Sequence, residues 1–339
     1  MHPDAHLEIG STHDICEDYA RGAFVIHQGK KLPVAIVSDG CSSSPDTDFG
    51  SRILTWTTFQ EVTAKGEAFR PSDIALKSNA PAQAGAMAPT SLDATLLVLV
   101  PTEEGMVKAV VVGDGFLSGK RRGGSIETWR FSYESPNGGS APGYLTYTTD
   151  PDRWSTWTTQ NGEGFWNTRK VSRYLDGVLQ GEPLIQVVDN PGNVAATVLL
   201  DPTEYDILAV FSDGADSFQR RVSDTFKFPV PMAGAVQIPP DTVSIQVIVE
   251  AGRPFITGTY LTRNIRPVTF HEVIEQCMAI KGSKGRFVGR RCQRFLSQFC
   301  STHGWSHYDD FSMAALWTGD VVRNPIPALP EAPEESHEA

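Results

Sequence analysis

Apolar residues in this chain gather in short runs closed by Gly, Pro or Asp, the pattern of buried strands. Residues 7 to 37 read as a strand, a turn and a strand pair. In the pair, Ala23-Phe24-Val25-Ile26 and Val34-Ala35-Ile36-Val37 flank Gln28-Gly29-Lys30-Lys31, a hairpin connection. A second hairpin is predicted from Ala94–Val100 and Met106–Val112, joined by Pro101-Thr102-Glu103-Glu104-Gly105. Val194–Leu200, Tyr205–Phe211 and Ser312–Trp317 read as further strands. Val243-Ser244-Ile245-Gln246-Val247-Ile248-Val249 alternates, so residues 230–263 form either a flap or a sheet extension.

Helical spacing is rarer. Asp48 is placed to cap a helix from about Phe49 to Val62, striped by Ile53, Leu54, Thr57 and Thr58. Residues 64–90, rich in Ala and Pro, read as a short helix and a loop. Two more helices are predicted at about Thr269–Ile280 and Arg286–Cys300. The second carries Cys292, Phe295, Leu296 and Phe299 on one face and is stopped by Gly304. Strands, helix, strands, helices, strand is an order that suits an α+β sandwich better than a doubly wound sheet. One domain over 1–320 is expected, with a Trp- and Gly-rich insertion at about 118–181 made of hairpins and surface connections. Its Trp129, Trp154, Trp157 and Trp166 read as packing residues. The Pro/Glu-rich tail, 321–339, is expected to be disordered.

Composition narrows the function. With 339 residues, 40% hydrophobic and 20% charged, this is an ordinary globular chain with ample core. Its net charge of −11 opposes a nucleic-acid surface. No apolar run is long enough to span a bilayer, and the first residues lack the features of a signal peptide. The five cysteines form no Cys-x-x-Cys pair and read as free thiols, so a cytoplasmic location is expected.

The candidate chemistry lies in acidic signatures at strand ends: Glu17-Asp18, Asp39-Gly40, Asp213-Gly214 and Asp309-Asp310. Like charges raise one another's pKa, so a fold that gathers carboxylates usually does so around a divalent cation. Hard ions such as Mg²⁺ and Mn²⁺ take oxygen ligands. A pair of them about 3.5–4 Å apart can activate a water and clamp a phosphoryl group. A cysteine-phosphatase loop is excluded, because Thr47 stands where Cys-x5-Arg from Cys41 needs Arg. Ser42, Ser43 and Ser44 lack a Gly-x-Ser-x-Gly elbow. His303 and His307 are separated by a helix-breaking Gly304, against a zinc pair.

Together with Gly113-Asp114, this ordered set resembles the metal-dependent protein phosphatases of the PPM (type 2C) family, over about residues 8–318. The segment Asp39-Gly40-Cys41-Ser42-Ser43-Ser44-Pro45 is similar to a bacterial branch. The resemblance implies a four-layer α-β-β-α sandwich with two antiparallel sheets flanked by helices. It makes Asp39 the bridging ligand of two Mg²⁺ or Mn²⁺ ions. Asp213 and Asp309 would complete one site, Glu17 and the Gly40 carbonyl would serve the other, and Asp114 would serve a weaker third ion. Asp18 supports a ligand or a water, and Asp216 reads as a helix-start residue before a ligand. The implied reaction is hydrolysis of phosphoserine or phosphothreonine in proteins by a metal-bridging water or hydroxide, and a cognate Ser/Thr kinase is the partner such an enzyme implies. Many members carry Arg where this chain has His13, and His where it has Cys41. His13 is the weaker phosphate contact of the two but titrates near neutrality, so general acid is the alternative role. The other reading is a pseudophosphatase, a module that binds a kinase or phosphoprotein without turnover.

Overall fold

The computed structural model describes residues 1–133, 142–161, 164–165, 167–230 and 238–319. The expected disorder of 321–339 and the packing of Trp166 fall outside them. The chain opens with β1 (His2–Glu8), β2 (Tyr19–His27), β3 (Lys30–Ser38), α1 (Thr47–Lys65) and α2 (Pro71–Ala84). Strands β4 (Leu96–Pro101), β5 (Val107–Val112), β6 (Gly115–Arg121) and β7 (Ile126–Tyr133) follow, then α3 (Pro151–Thr158). Next come the short pair β8 (Gln160–Asn161) and β9 (Gly164–Phe165), then β10 (Thr168–Leu175), β11 (Val178–Leu179) and β12 (Leu184–Val187). After these are β13 (Ala195–Leu200), β14 (Tyr205–Phe211), β15 (Phe218–Pro229), β16 (Thr242–Glu250) and β17 (Arg253–Pro267). The chain closes with α4 (Phe270–Met278), α5 (Phe287–Arg294), α6 (Ser301–His303), β18 (Trp305–His307) and β19 (Phe311–Trp317).

Two antiparallel sheets carry the fold. One has the order β1-β19-β14-β6-β7-β10-β11, with β12 also paired to β10; the other runs β13-β5-β4-β3-β2. The strands read as near-continuous apolar runs because both faces are covered. In β4, Leu97 and Leu99 point into the cluster between the sheets, while Leu96, Val98 and Val100 join Leu54, Val62 and Ile74 of α1 and α2. In β14, Leu208 and Val210 face the same inter-sheet cluster, while Ile207, Ala209 and Phe211 pack with Val273, Ile274 and Val288 of α4 and α5. The period-2 alternation therefore separates three apolar clusters, with helices on the outer side of each sheet.

Several elements differ from the sequence reading. β1 has no apolar run, yet it pairs along its whole length with β19, from His2 opposite Trp317 to Glu8 opposite Phe311. It is an edge strand fixed by its partner rather than by its own pattern. Asp48 does not cap α1. Asp46 holds the cap position in a left-handed conformation (φ 53°), and Asp48 sits in the first turn, 3.4 Å from Arg52. Residues 71–84 form a longer helix than expected, because Ile74, Ala75, Ser78 and Ala82 give it a buried face despite Pro81. The expected hairpins of the segment 118–181 are built into the larger sheet, which holds most of β6 and all of β7 and β10. The alternating segment forms β16, which with β17 belongs to a separate sheet in the order β16-β17-β15-β18. Gly304 does end its helical segment in a left-handed turn (φ 67°), after a π-helical stretch at Phe295–Cys300. Among the described residues no helix is long and apolar enough to cross a membrane.

Candidate active site

Strand ends deliver the acidic residues. Asp39 follows β3 and is fixed through its backbone. Its N–H donates to Thr95 Oγ1 at 3.1 Å, and its carbonyl accepts the Thr95 N–H at 2.8 Å. Gly40 pairs with Ala94 and donates its N–H to the Glu17 carbonyl at 3.3 Å. A Cβ at Gly40 would lie 2.8 Å from Thr47 backbone and side chain, so only glycine lets these segments meet. Asp114 occupies a tight turn between β5 and β6. Asp213 closes β14 and starts a 3-10 turn, Asp213–Asp216.

Asp310 organises the other side. Its buried carboxylate accepts the Gly10 N–H at 2.7 Å and the Glu17 N–H at 2.5 Å, and it pairs with His13 Nδ1 at 3.0 Å. The same imidazole lies 3.5 Å from Asp309 and 3.9 Å from Glu17. The loop between β1 and β2 is thereby tied to the start of β19. Glu17 is held separately, accepting from Thr47 Oγ1 at 3.0 Å.

Asp114, Asp213 and Asp309, remote in sequence, line one cavity of about 240 Å³ with Asp216, Arg130 and Tyr308. Asp39 joins them through its carboxyl, which lies near enough to those of Asp213 and Asp18 to feel their charge. Burial, followed by the charges of Asp18 and Asp213, pushes Asp39 well above the usual carboxylate range. Burial raises Asp114 to about 8 and Asp18 to about 7; it raises Asp213 and Asp309 as well. His13 is driven upward: burial opposes its charge, but the Asp310 contact and the charges of Asp310, Asp309 and Glu17 outweigh it.

Among the described residues no group of three or more His, Cys, Asp or Glu side chains stands ready-arranged to hold a metal ion. The donor set nonetheless fits hard divalent cations. It is made of oxygens, and both carboxylate oxygens of Asp18 are buried without a hydrogen bond of ordinary geometry, although Ser212 and Ser312 lie beside them.

A pH dependence follows. These aspartates are raised above their ordinary value of 3.8, so the cation-free folded chain keeps protons that the unfolded chain has lost. Stability then falls as pH rises from about 4 through the folded values of about 7 and about 8. His13, also raised, contributes in the same direction: its stabilisation is complete below the unfolded value and is lost as pH rises through the folded one. In EDTA the urea midpoint should drop across this range, and saturating Mn²⁺ should remove the drop. A flat profile in EDTA would contradict the burial of these charges.

The structure places the predicted residues unevenly. Asp39, Asp114, Asp213 and Asp309 come together. Glu17 and Gly40 meet through the backbone. His13 lies against the acidic loop and is not among the residues lining the cavity. Neither His303 nor His307 joins this centre: His303 stacks on Phe299 and His307 on Phe218. The sequence reading did not anticipate Arg130, the organising role of Asp310, or the packing of 142–158 near Cys41. Here Tyr144 touches Cys41, and Thr146 and Arg153 bind Asp93, Thr146 at 2.6 Å.

The family model for protein phosphatase 2C matches residues 9–237. Among solved structures, a bacterial serine phosphatase is similar at 12% identity and a TM-score of 0.47, covering 95% of this chain and 100% of that one. The serine/threonine phosphatase Stp1 from Staphylococcus aureus is similar at 12% identity and a TM-score of 0.46, covering 93% and 94%. A serine/threonine phosphatase of S. agalactiae is similar at 11% identity and a TM-score of 0.43, covering 92% and 97%. No curated protein matches the sequence.

Proposed function

Because the chain belongs to the protein phosphatase 2C family, a class of protein serine/threonine phosphatases, we propose that its aspartate cluster is a divalent-metal centre hydrolysing phosphoserine and phosphothreonine in proteins. The observation that carries this reading is the buried convergence of Asp39, Asp213 and Asp18, with Asp114 and Asp309 close enough to feel the same charge. A scaffold without catalysis has no reason to retain so costly a set of like charges, which disfavours the pseudophosphatase alternative.

Asp39, Asp213 and Asp309 would hold one Mg²⁺ or Mn²⁺ ion. Asp39, Glu17 and the Gly40 carbonyl would hold a second, and Asp114 a third. When bound, such ions supply the Lewis acidity that lowers the pKa of an attacking water and offsets phosphoryl charge. The chain's own residues position these ligands. Thr95 fixes the Asp39 backbone, Thr47 orients Glu17, and Asp310 anchors the loop bearing Glu17. Phosphoryl transfer depends mainly on such positioning and on electrostatics. His13, whose acidic neighbours favour its protonated form, is the proton donor assigned to the leaving hydroxyl oxygen. The natural partners are phosphorylated proteins and, by extension, the Ser/Thr kinase that produces them.

Phosphoserine, phosphothreonine and phosphotyrosine peptides test this reading. Phosphate should be released from the first two with Mn²⁺ or Mg²⁺ and not in EDTA. Release that survives EDTA, or none from folded protein under any metal, would overturn it.

A further inference from the structure

A phosphoryl group brings negative charge to a wall already crowded with aspartates, so it needs a donor of positive charge there. Among the described residues lining the 240 Å³ cavity, Asp114, Asp213, Asp216 and Asp309 are acidic and Arg130 is the one cation. Arg130 stands on β7, opposite Phe116 of β6, close to the turn that carries Asp114. Its guanidinium lies over the rings of Phe116 and Phe270, 6.0 and 5.9 Å from their centroids, at the outer limit of cation–π contact. Nη2 pairs with Asp216 at 2.7 Å, and the two side chains are 38% and 32% exposed.

A solvent-reachable pair of this kind contributes little to stability, so exchanging Asp216 for another oxyanion is inexpensive. The planar fork of an arginine matches two phosphoryl oxygens, as a lysine or an imidazole does not. His13 faces Asp310, Asp309 and Glu17.

We propose that Arg130 binds the phosphoryl oxygens of the substrate, exchanging its contact with Asp216 for them. The assignment rests on the phosphatase reading above. It also gives Asp216 a role: a carboxylate that holds the guanidinium at the cavity wall until an anion arrives.

The test uses the full chain loaded with Mn²⁺, with inorganic phosphate as the probe in calorimetry and a phosphothreonine peptide in steady-state kinetics. Loss of charge-assisted hydrogen bonds predicts that Arg130→Ala weakens phosphate binding and raises KM by roughly 10- to 100-fold. Mn²⁺ stoichiometry should be unchanged. Arg130→Lys should recover part of the loss, and Asp216→Asn, which frees the guanidinium, should bind phosphate at least as tightly as the unmodified chain. Arg130→Gln, with a planar amide to lie over the two rings, serves if the alanine variant fails to fold. Unchanged phosphate affinity and KM in the Arg130 variants would overturn the assignment while leaving the phosphatase reading intact. So would Asp216→Asn reproducing the Arg130→Ala loss, since the pair would then be structural. An unmodified chain that neither binds nor releases phosphate would overturn both readings.

Discussion

Asp39→Asn should abolish phosphate release, lowering kcat by a factor on the order of 10³ or more, while far-ultraviolet circular dichroism stays unchanged. The magnitude follows from removing a carboxylate from a site where electrostatics supply most of the rate, a single such group being worth about 10²–10³. The bridging role assigned to Asp39 places the loss at the upper end. The fold is preserved because Asp39 is held through its backbone: Thr95 binds both its N–H and its carbonyl, and neither bond needs the carboxylate. The amide also relieves repulsion with Asp18 and Asp213. In EDTA the variant should therefore melt at or above the temperature of the parent, reversing the order expected in Mn²⁺. Full activity, or loss of folding, would refute the assignment of Asp39.

Gly214→Ala should be severe for a different reason. A Cβ at this position would lie 1.7 Å from the Asp310 carbonyl oxygen and 2.8 Å from its carbonyl carbon. The obstacle is backbone, so no rotamer change relieves it. Either the turn after β14 or the start of β19 must move, and Asp213 and Asp309 move with them. Overpacking costs about 1–3 kcal/mol, occasionally more, and contact with rigid backbone points to about 3 kcal/mol or above. Urea denaturation should show that loss, together with loss of Mn²⁺ affinity. A variant within about 0.5 kcal/mol of the parent, the range of surface substitutions, would mean that the two strand ends are not pressed together.

The legibility of the fold follows burial. Strands covered on both faces, such as β4, β14 and β19, announced themselves as apolar runs with Pro, Asp or Gly near their ends. β1 did not, because an edge strand takes its identity from β19. α2 was obscured by its prolines, and α1 starts earlier than a capping rule places it because Asp46 enters through a left-handed turn. In the site, the residues legible in sequence were those marked by a local cue at a strand end, a carboxylate beside glycine or beside a second carboxylate. Arg130 carried no such cue. Its neighbours are created by the local pairing of β7 with β6 and by the turn after β14, which comes from much further along the chain. Asp310 was visible only as the second half of Asp309-Asp310. Its distinct role depends on the Gly10 and Glu17 amides, which reach it from the opposite end of the sequence.

The central claim is that the carboxylates around Asp39 form a divalent-cation centre. Titrating metal-stripped protein with Mn²⁺ in a calorimeter, beside Asp39→Asn, tests it without relying on any substrate. The account predicts at least two bound ions in the parent, with affinity falling as pH is lowered and the aspartates take up protons, and binding lost or reduced to one weak site in the variant. Folded parent protein that binds no Mn²⁺, or a variant that binds it equally well, would contradict the account.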